Sequence, residues 1–156
     1  RAGLRGTPFR HPQLTLLREG PMAVRELYPE GLIAAIERLG DRPIYITENG
    51  LPCEDDRFRI VSIALHLAAL REAMDRGADV RGYFHWSLMD NYEWDSFAPR
   101  FGLVHVDFRT FQRTPKPSAY FYRDVIRRND LQRMLSRSCN ATFLRTVCYY
   151  PGLNYD

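Results

Sequence analysis

Cysteine is scarce in this chain, and its few positions exclude two common kinds of structural site. Only Cys53, Cys139 and Cys148 occur among the 156 residues. They show no CxxC spacing and no companion histidines at ligand intervals, so the sequence supports neither a zinc site nor a disulfide framework. We therefore expect free thiols in a reducing compartment, and we expect no metal and no cofactor.

Long apolar runs are also lacking. No run approaches the roughly 18 residues that would suggest a membrane-spanning helix, and the chain opens on Arg1 without a charged-then-apolar leader. We interpret this beginning as a truncated end and not as a targeting signal. Localisation stays open, and a cytoplasmic location is favoured over secretion. Asn140 begins a glycosylation acceptor triplet, NAT, which matters only if the chain is secreted.

Charge of one sign is not concentrated anywhere. The formal net charge of +3 comes from 22 Lys and Arg against 19 Asp and Glu, and almost all of the positive charge is arginine spread along the sequence. A nucleic-acid footprint should cluster its basic residues. The densest run, residues 123–137, is mixed with acids and apolar residues, which is typical of a solvated helix face. A nucleic-acid binder is therefore a poor interpretation, and no recognition motif supports it.

The composition is that of a soluble globular domain, with 45% hydrophobic and 26% charged residues. Apolar spacing predicts an α/β fold in the order helix, strand, helix, strand, helix, which is typical of parallel βα units. His66 lies on or beside the apolar face of the second helix, where we expect a packed, hydrogen-bonded structural histidine. The predicted helices cover residues 28–39, 57–77 and 119–128, and the predicted strands cover residues 44–47, 80–88 and 103–108.

The first candidate catalytic residue is Glu48. It comes directly after the apolar run of residues 43–46 and Thr47, and it precedes Gly50, which would let the chain turn sharply. Parallel α/β barrels place catalytic groups at the C-terminal ends of such strands. The four residues TENG alone would favour a glutamate in an ordinary turn, so the assignment depends on a second motif further along the chain.

A second block carries an unusual combination of side chains. Residues 82–94 read GYFHWSLMDNYEW, and residues 100–103 read RFGL. Tryptophan faces and carboxylates together suit a sugar, because aromatic faces pack on its C–H groups and carboxylates accept its hydroxyl hydrogen bonds. A tryptophan such as Trp86 would, without the surrounding block, be interpreted as a barrel-core aromatic.

The two blocks together resemble the C-terminal part of a family 1 glycoside hydrolase, the β-glucosidase and β-galactosidase type of retaining enzyme. ITENG at residues 46–50 resembles that family's nucleophile strand, and WSxxDNxEW with the later RFG resembles its last barrel strand and sugar-binding loop. The resemblance implies a partial (β/α)8 TIM barrel that holds the seventh and eighth βα units. It divides the chain into an irregular segment over residues 1–20, a barrel part over residues 21–130, and an unassigned C-terminal tail over residues 131–156.

The resemblance also implies roles for individual residues. Glu48 would be the covalent nucleophile. Trp86 would stack against the sugar, Glu93 would accept hydrogen bonds from its distal hydroxyls, Trp94 would donate from its indole, and Phe101 would close the pocket edge. The implied activity is hydrolysis of O-glycosidic bonds in β-glucosides or related sugars, and the implied partner is a β-linked sugar.

Other parts of such an enzyme are missing. A whole (β/α)8 barrel needs roughly 250 residues, and the Asn-Glu-Pro triplet that carries the family's acid/base does not occur here. Two units cannot close a barrel, so we expect exposed apolar patches and a need for the missing N-terminal barrel portion or for self-association. The chain alone should be inactive. The alternative is a non-catalytic, degenerate barrel module that binds a sugar or a partner protein.

Overall fold

A computed structural model describes residues 27–129. It contains three helices, α1 to α3, and four strands, β1 to β4. Predictions for residues 1–20 and 131–156, including those for Cys139, Cys148 and Asn140, lie outside the described residues. The elements in chain order are α1 (Pro29–Leu39), β1 (Ile44–Asn49), α2 (Asp56–Asp75), β2 (Val80–His85), β3 (Val104–Val106), β4 (Arg113–Pro115) and α3 (Pro117–Arg128).

β1 and β2 form a parallel pair, as the order of elements predicts. Ile44 lies opposite Val80 at one end and Asn49 lies opposite His85 at the other. Because the strands run in the same direction, their C-terminal ends meet at one edge, and the intervening chain returns through α2. This edge brings the two sequence blocks together.

The core lies between this strand pair and helices α1 and α2. Its buried apolar side chains come from α1, β1 and α2, and Tyr83 of β2 packs against them. The opposite face of the strand pair has no such cover, because Tyr45 and Phe84 are each 57% exposed. The expected exposed apolar patch is therefore present within the described residues. The buried core residues are Ile33, Ile36, Ile44, Ala69, Leu70 and Ala73.

Helix α3 is fixed to the start of α2 by polar contacts. The Ser118 backbone N–H and hydroxyl both donate to the Asp56 carboxylate at 2.7 Å. Asp56 also pairs with Arg59, whose fully buried guanidinium donates to the Cys53 carbonyl oxygen at 3.0 Å. The Cys53 thiol is free, as expected, and the structure shows in addition that it is buried. These contacts hold the loop after β1 against the helices.

Element boundaries differ from the predicted ones in a few places. β1 extends through Glu48 to Asn49, whereas β2 ends at His85 because Ser87 leaves it and bonds to the segment around residues 101–103. The predicted strand over residues 103–108 shortens to β3, which pairs antiparallel with β4. The sequence does not predict a strand at β4, since its three residues are exposed and show no apolar alternation.

The helices match the predicted pattern closely. α1 has a proline in its first turn and ends at Gly40, where φ is 65°, a conformation that favours glycine. His66 Nδ1 on α2 donates a hydrogen bond at 2.8 Å to the Ser62 carbonyl oxygen, and burial lowers the pKa of the imidazole. The packed and hydrogen-bonded histidine that the sequence predicts at this position is observed. No helix among residues 27–129 has the length and apolarity that crossing a membrane requires.

Candidate active site

Glu48 lies near the C-terminal end of β1 with its side chain exposed. Side chains along a strand alternate between two faces, and β1 follows this rule from Ile44 to Thr47. The alternation then fails, because Thr47 and Glu48 are both exposed. The pairing with β2 also shifts register between Ile46 and Asn49. Glu48 consequently lies on the open side of the strand pair, away from the helices.

Gly50 joins the two sequence blocks through a close backbone approach. A Cβ at this position would overlap the carbonyl oxygen of Trp86. On the neighbouring residue, the Asn49 carbonyl oxygen accepts a hydrogen bond from the Trp86 N–H at 3.0 Å. Glycine is needed here because only a residue without a side chain lets the end of β1 lie this close to the chain that leaves β2.

Trp86 and Glu93 form a hydrogen-bonded pair. The indole Nε1 donates to the Glu93 Oε1 at 3.1 Å, and Glu93 is only 4% exposed. A tight turn holds the glutamate, since its N–H donates to the Ser96 carbonyl oxygen at 2.8 Å. The bond from Trp86 occupies one acceptor position of the carboxylate and leaves the others for hydroxyl groups.

Trp94 adopts an unusual backbone conformation. Its φ of 62° is rare for a bulky residue, and the side chain is 85% exposed. The same stretch of chain therefore presents the Glu93 carboxylate from within the fold and the Trp94 ring from its surface. A carboxylate and an indole are thus offered side by side to the same space.

One cavity of about 590 Å³ gathers all five residues that the sequence singled out. It is large enough for a sugar-sized ligand. Asn49, Asn91 and Tyr92 also line it, although the sequence reasoning assigned them no role. The last two lie within the WSxxDNxEW block, which was the available signal, and Asn49 is the neighbour of Glu48. The complete lining is Glu48, Asn49, Gly50, Trp86, Asn91, Tyr92, Glu93, Trp94 and Phe101.

Asp90, in the same block, does not line the cavity. Its side chain has no exposure, and its carboxylate accepts hydrogen bonds from the Gly102 N–H at 2.9 Å and the Lys116 Nζ at 3.0 Å. The Arg100 guanidinium lies 3.5 Å from it and His105 Nδ1 lies 3.4 Å from it. Asp90 therefore ties the base of the loop to β3 and to the start of α3.

His85 lies behind the cavity at the end of β2. Burial lowers its pKa to about 4, so its ring is neutral near pH 7. Its Nε2 lies 3.3 Å from the Phe101 carbonyl oxygen, and the Phe101 carbonyl also accepts from the Ser87 N–H at 3.3 Å. A neutral histidine that donates to this carbonyl helps to keep Phe101 at the cavity edge.

Comparison with known proteins identifies what this arrangement is similar to. The chain matches the family described as Glycosyl hydrolase family 1 over residues 18–131. A beta-galactosidase from Sulfolobus acidocaldarius is 41% identical over 114 residues, which are 70% of this chain and 23% of that protein. Beta-glucosidase 47 from Arabidopsis thaliana is 46% identical over 104 residues, covering 62% of this chain and 19% of that protein.

A solved structure shows the same similarity in three dimensions. The β-glycosidase from Pyrococcus horikoshii superposes with a TM-score of 0.68 at 45% sequence identity, over 77% of this chain and 29% of that chain. The chain thus spans between about a fifth and a third of the length of these relatives. Its α/β elements correspond to part of a larger fold.

Proposed function

Because this chain belongs to glycosyl hydrolase family 1, whose members have a TIM barrel fold, we propose that it forms part of a retaining β-glycosidase. The proposed reaction is hydrolysis of O-glycosidic bonds in β-glucosides or related sugars. The observation that carries the proposal is the cavity in which Glu48, Trp86 and Glu93 lie together. Its relatives include proteins named beta-galactosidase and beta-glucosidase.

The proposed chemistry assigns the bond-forming step to Glu48. In a retaining glycosidase one carboxylate attacks the anomeric carbon, while a second carboxyl group about 5 Å away protonates the leaving oxygen. Glu48 suits the first role, because it is an exposed carboxylate at the cavity. The proton donor would come from outside this chain, since Glu93 is held by the Trp86 indole and the sequence has no Asn-Glu-Pro triplet.

The remaining cavity residues would bind the sugar. Trp86 and Trp94 offer aromatic faces, Trp94 also offers its indole N–H, and the Glu93 carboxylate can take two hydroxyl groups of one sugar. Phe101, which is 3% exposed, would form the apolar edge of the subsite. These roles make Glu93 and Trp94 determinants of sugar choice and not of bond cleavage.

We assign β1 and β2 to the seventh and eighth strands of the barrel, and residues 21–130 to the barrel part of the chain. The open face that carries Tyr45 and Phe84 would then point to the barrel interior. The rest of the barrel would be supplied by a longer polypeptide or by self-association. Of these two sources, a longer polypeptide would also supply the acid/base, because a second copy of this chain has no Asn-Glu-Pro triplet either.

A hybrid enzyme tests the proposal. The complete chain replaces the matching segment of the Pyrococcus horikoshii β-glycosidase, and the purified hybrid is assayed with an aryl β-glucoside and an aryl β-galactoside. We expect turnover that Glu48→Gln abolishes. A folded hybrid that binds sugar without turning it over would instead support the non-catalytic module.

A further inference from the structure

A local irregularity in β1 determines the face of the strand on which the Glu48 side chain lies. Ile44 is buried and packs toward the helices, with Ile46 on the same face. Strict alternation would place Glu48 on that face too, because residues two apart on a strand share a side. The exposure of both Thr47 and Glu48, with the register shift before Asn49, shows a local irregularity that reverses this. Such irregularities re-aim side chains beside active sites.

The irregularity is held at its C-terminal end by a side-chain hydrogen bond. The Tyr83 hydroxyl on β2 donates to the Asn49 Oδ1 at 2.7 Å. Tyr83 packs against the helix-facing core, and burial raises the pKa of its phenol, which therefore stays a donor. The side chain of Asn49 is thus drawn toward the helix side, directly after Glu48 has turned to the other side.

Both partners of this bond are fixed by further contacts. The carbonyl oxygen of Tyr83 accepts a hydrogen bond from the Tyr122 hydroxyl of α3 at 2.8 Å, and the two rings meet edge to face at 6.2 Å. The carbonyl oxygen of Asn49 accepts from the Trp86 N–H at 3.0 Å. Asn49 is therefore held through its side chain and through its main chain.

We infer that Tyr83 is a positioning residue that acts through Asn49 to aim Glu48 at the cavity. This inference rests on the proposed role of Glu48 as nucleophile. Attack on the anomeric carbon requires the carboxylate within a narrow range of positions, and an error of about 1 Å can cost on the order of 100-fold in rate. Without the Tyr83 hydroxyl, the side chains of Asn49 and Glu48 would populate other positions besides the one that suits attack.

The test removes one hydroxyl group. Tyr83→Phe in the hybrid enzyme should lower kcat by about 10- to 100-fold, and KM should stay within about threefold because the sugar-binding residues are untouched. Tyr120→Phe is the matched control, since it removes an exposed tyrosine hydroxyl of α3 and leaves Asn49 bonded. Its kcat should stay within about twofold of the parent. Asn49→Ala removes the same bond from its other end and should show the same fall in kcat.

A second readout does not depend on catalysis. Hydrogen–deuterium exchange followed by mass spectrometry reports the backbone amide of Trp86, which donates to Asn49. Exchange there should be faster in Tyr83→Phe and unchanged in Tyr120→Phe. If the parent hybrid has no activity, the proposed function fails, and this exchange comparison alone decides the positioning role. Unchanged kcat in Tyr83→Phe, equal losses in both tyrosine variants, or equal exchange in both would overturn the inference.

Discussion

At the scale of single residues, the two carboxylates that line the cavity differ in exposure and in hydrogen bonding. Glu48 is exposed at the end of β1, whereas Glu93 is 4% exposed and hydrogen-bonded to the Trp86 indole. A nucleophile needs an unoccupied lone pair aimed at the substrate, while a binding carboxylate benefits from being fixed. The two environments suit the two roles proposed for these residues.

Covalent labelling of the hybrid enzyme should occur at Glu48. A slow 2-deoxy-2-fluoro glycoside forms the glycosyl–enzyme bond but releases it slowly, so the nucleophile can be identified by peptide mapping. We expect the label in the peptide that contains residues 46–50 and none after Glu48→Gln replacement. A label on Glu93 or on any other residue would remove the assignment.

Replacement of Glu93 by Gln should change sugar choice. Glutamine keeps an oxygen to accept from Trp86 Nε1 but loses the charge, and a charge-assisted hydrogen bond contributes about 1.5–3 kcal/mol. We expect the ratio of kcat/KM for gluco and galacto substrates to change by roughly ten- to a hundredfold. Asp95→Asn is the control, because that exposed carboxylate does not line the cavity.

If the ratio is unchanged and the alkaline limb of the pH–rate profile disappears instead, Glu93 is the proton donor, because a general acid loses its function when it is deprotonated as the pH rises. The hydrogen bond from Trp86 makes that outcome unexpected. The Asp95→Asn control should leave both the ratio and the profile as in the parent hybrid.

At the scale of secondary structure elements, the site depends on how strand ends meet. The end of β1 and the chain after β2 are in backbone contact at Gly50 and Trp86. The loop after β2 is then tied to β3 and α3 by the buried Asp90. Because the contacts are between backbones or around a buried charge, small changes in these residues should move whole elements.

Gly50→Ala should strongly impair the hybrid enzyme. The new methyl group would meet the Trp86 carbonyl, which cannot move without shifting the strand ends, so we expect a fall in kcat of about 100-fold. Gly31→Ala in α1 is the control: its Cβ would meet only the exposed side chain of Tyr28, which can turn away, and no residue of α1 lines the cavity. Comparable kcat values for the two variants would contradict the close-approach argument.

Asp90→Asn should destabilise the fold, although Asp90 does not line the cavity. Removing one partner of a buried ion cluster costs about 3–5 kcal/mol, because Lys116 and Arg100 would keep their charges without the carboxylate. The urea midpoint of the hybrid should fall clearly. Asp79→Asn, which breaks an exposed pair with Arg81, should leave the midpoint unchanged; equal midpoints in both variants would show that the Asp90 cluster contributes little.

The elements that could be predicted from the sequence are those whose periodicity or termini are distinctive. Proline and Gly40 mark the ends of α1, and the apolar spacing of α2 indicates a helix along its length. β4 could not be predicted, because a short exposed strand pairs through its backbone and leaves no side-chain pattern. The burial of Asp90 could not be predicted either, since its partners Gly102 and Lys116 are 12 and 26 residues away along the sequence. Distant pairing of this kind has no local signal.

At the scale of the whole molecule, the described residues provide one side of a site. β1 and β2 form a two-stranded sheet, and its open face carries Tyr45, Phe84 and the exposed Glu48. Water has free access to that face, so charges there interact weakly compared with those in an enclosed pocket. The sugar-binding residues, by contrast, belong to a loop with its own buried anchor at Asp90.

From this asymmetry we expect that residues 1–156, purified alone, show no measurable turnover of an activated aryl β-glucoside. General acid assistance typically supplies roughly 100- to 10,000-fold in rate, and no proton donor is assigned within the cavity. Positioning by the remaining strands supplies further orders of magnitude. Adding the rest of the Pyrococcus horikoshii enzyme as a separate polypeptide should restore turnover if its strands can cover the open face. Robust turnover by the chain alone that vanishes in Glu48→Gln would mean that copies of this chain complete one another's site. Activity would then have to increase with the fraction of chains that associate in solution.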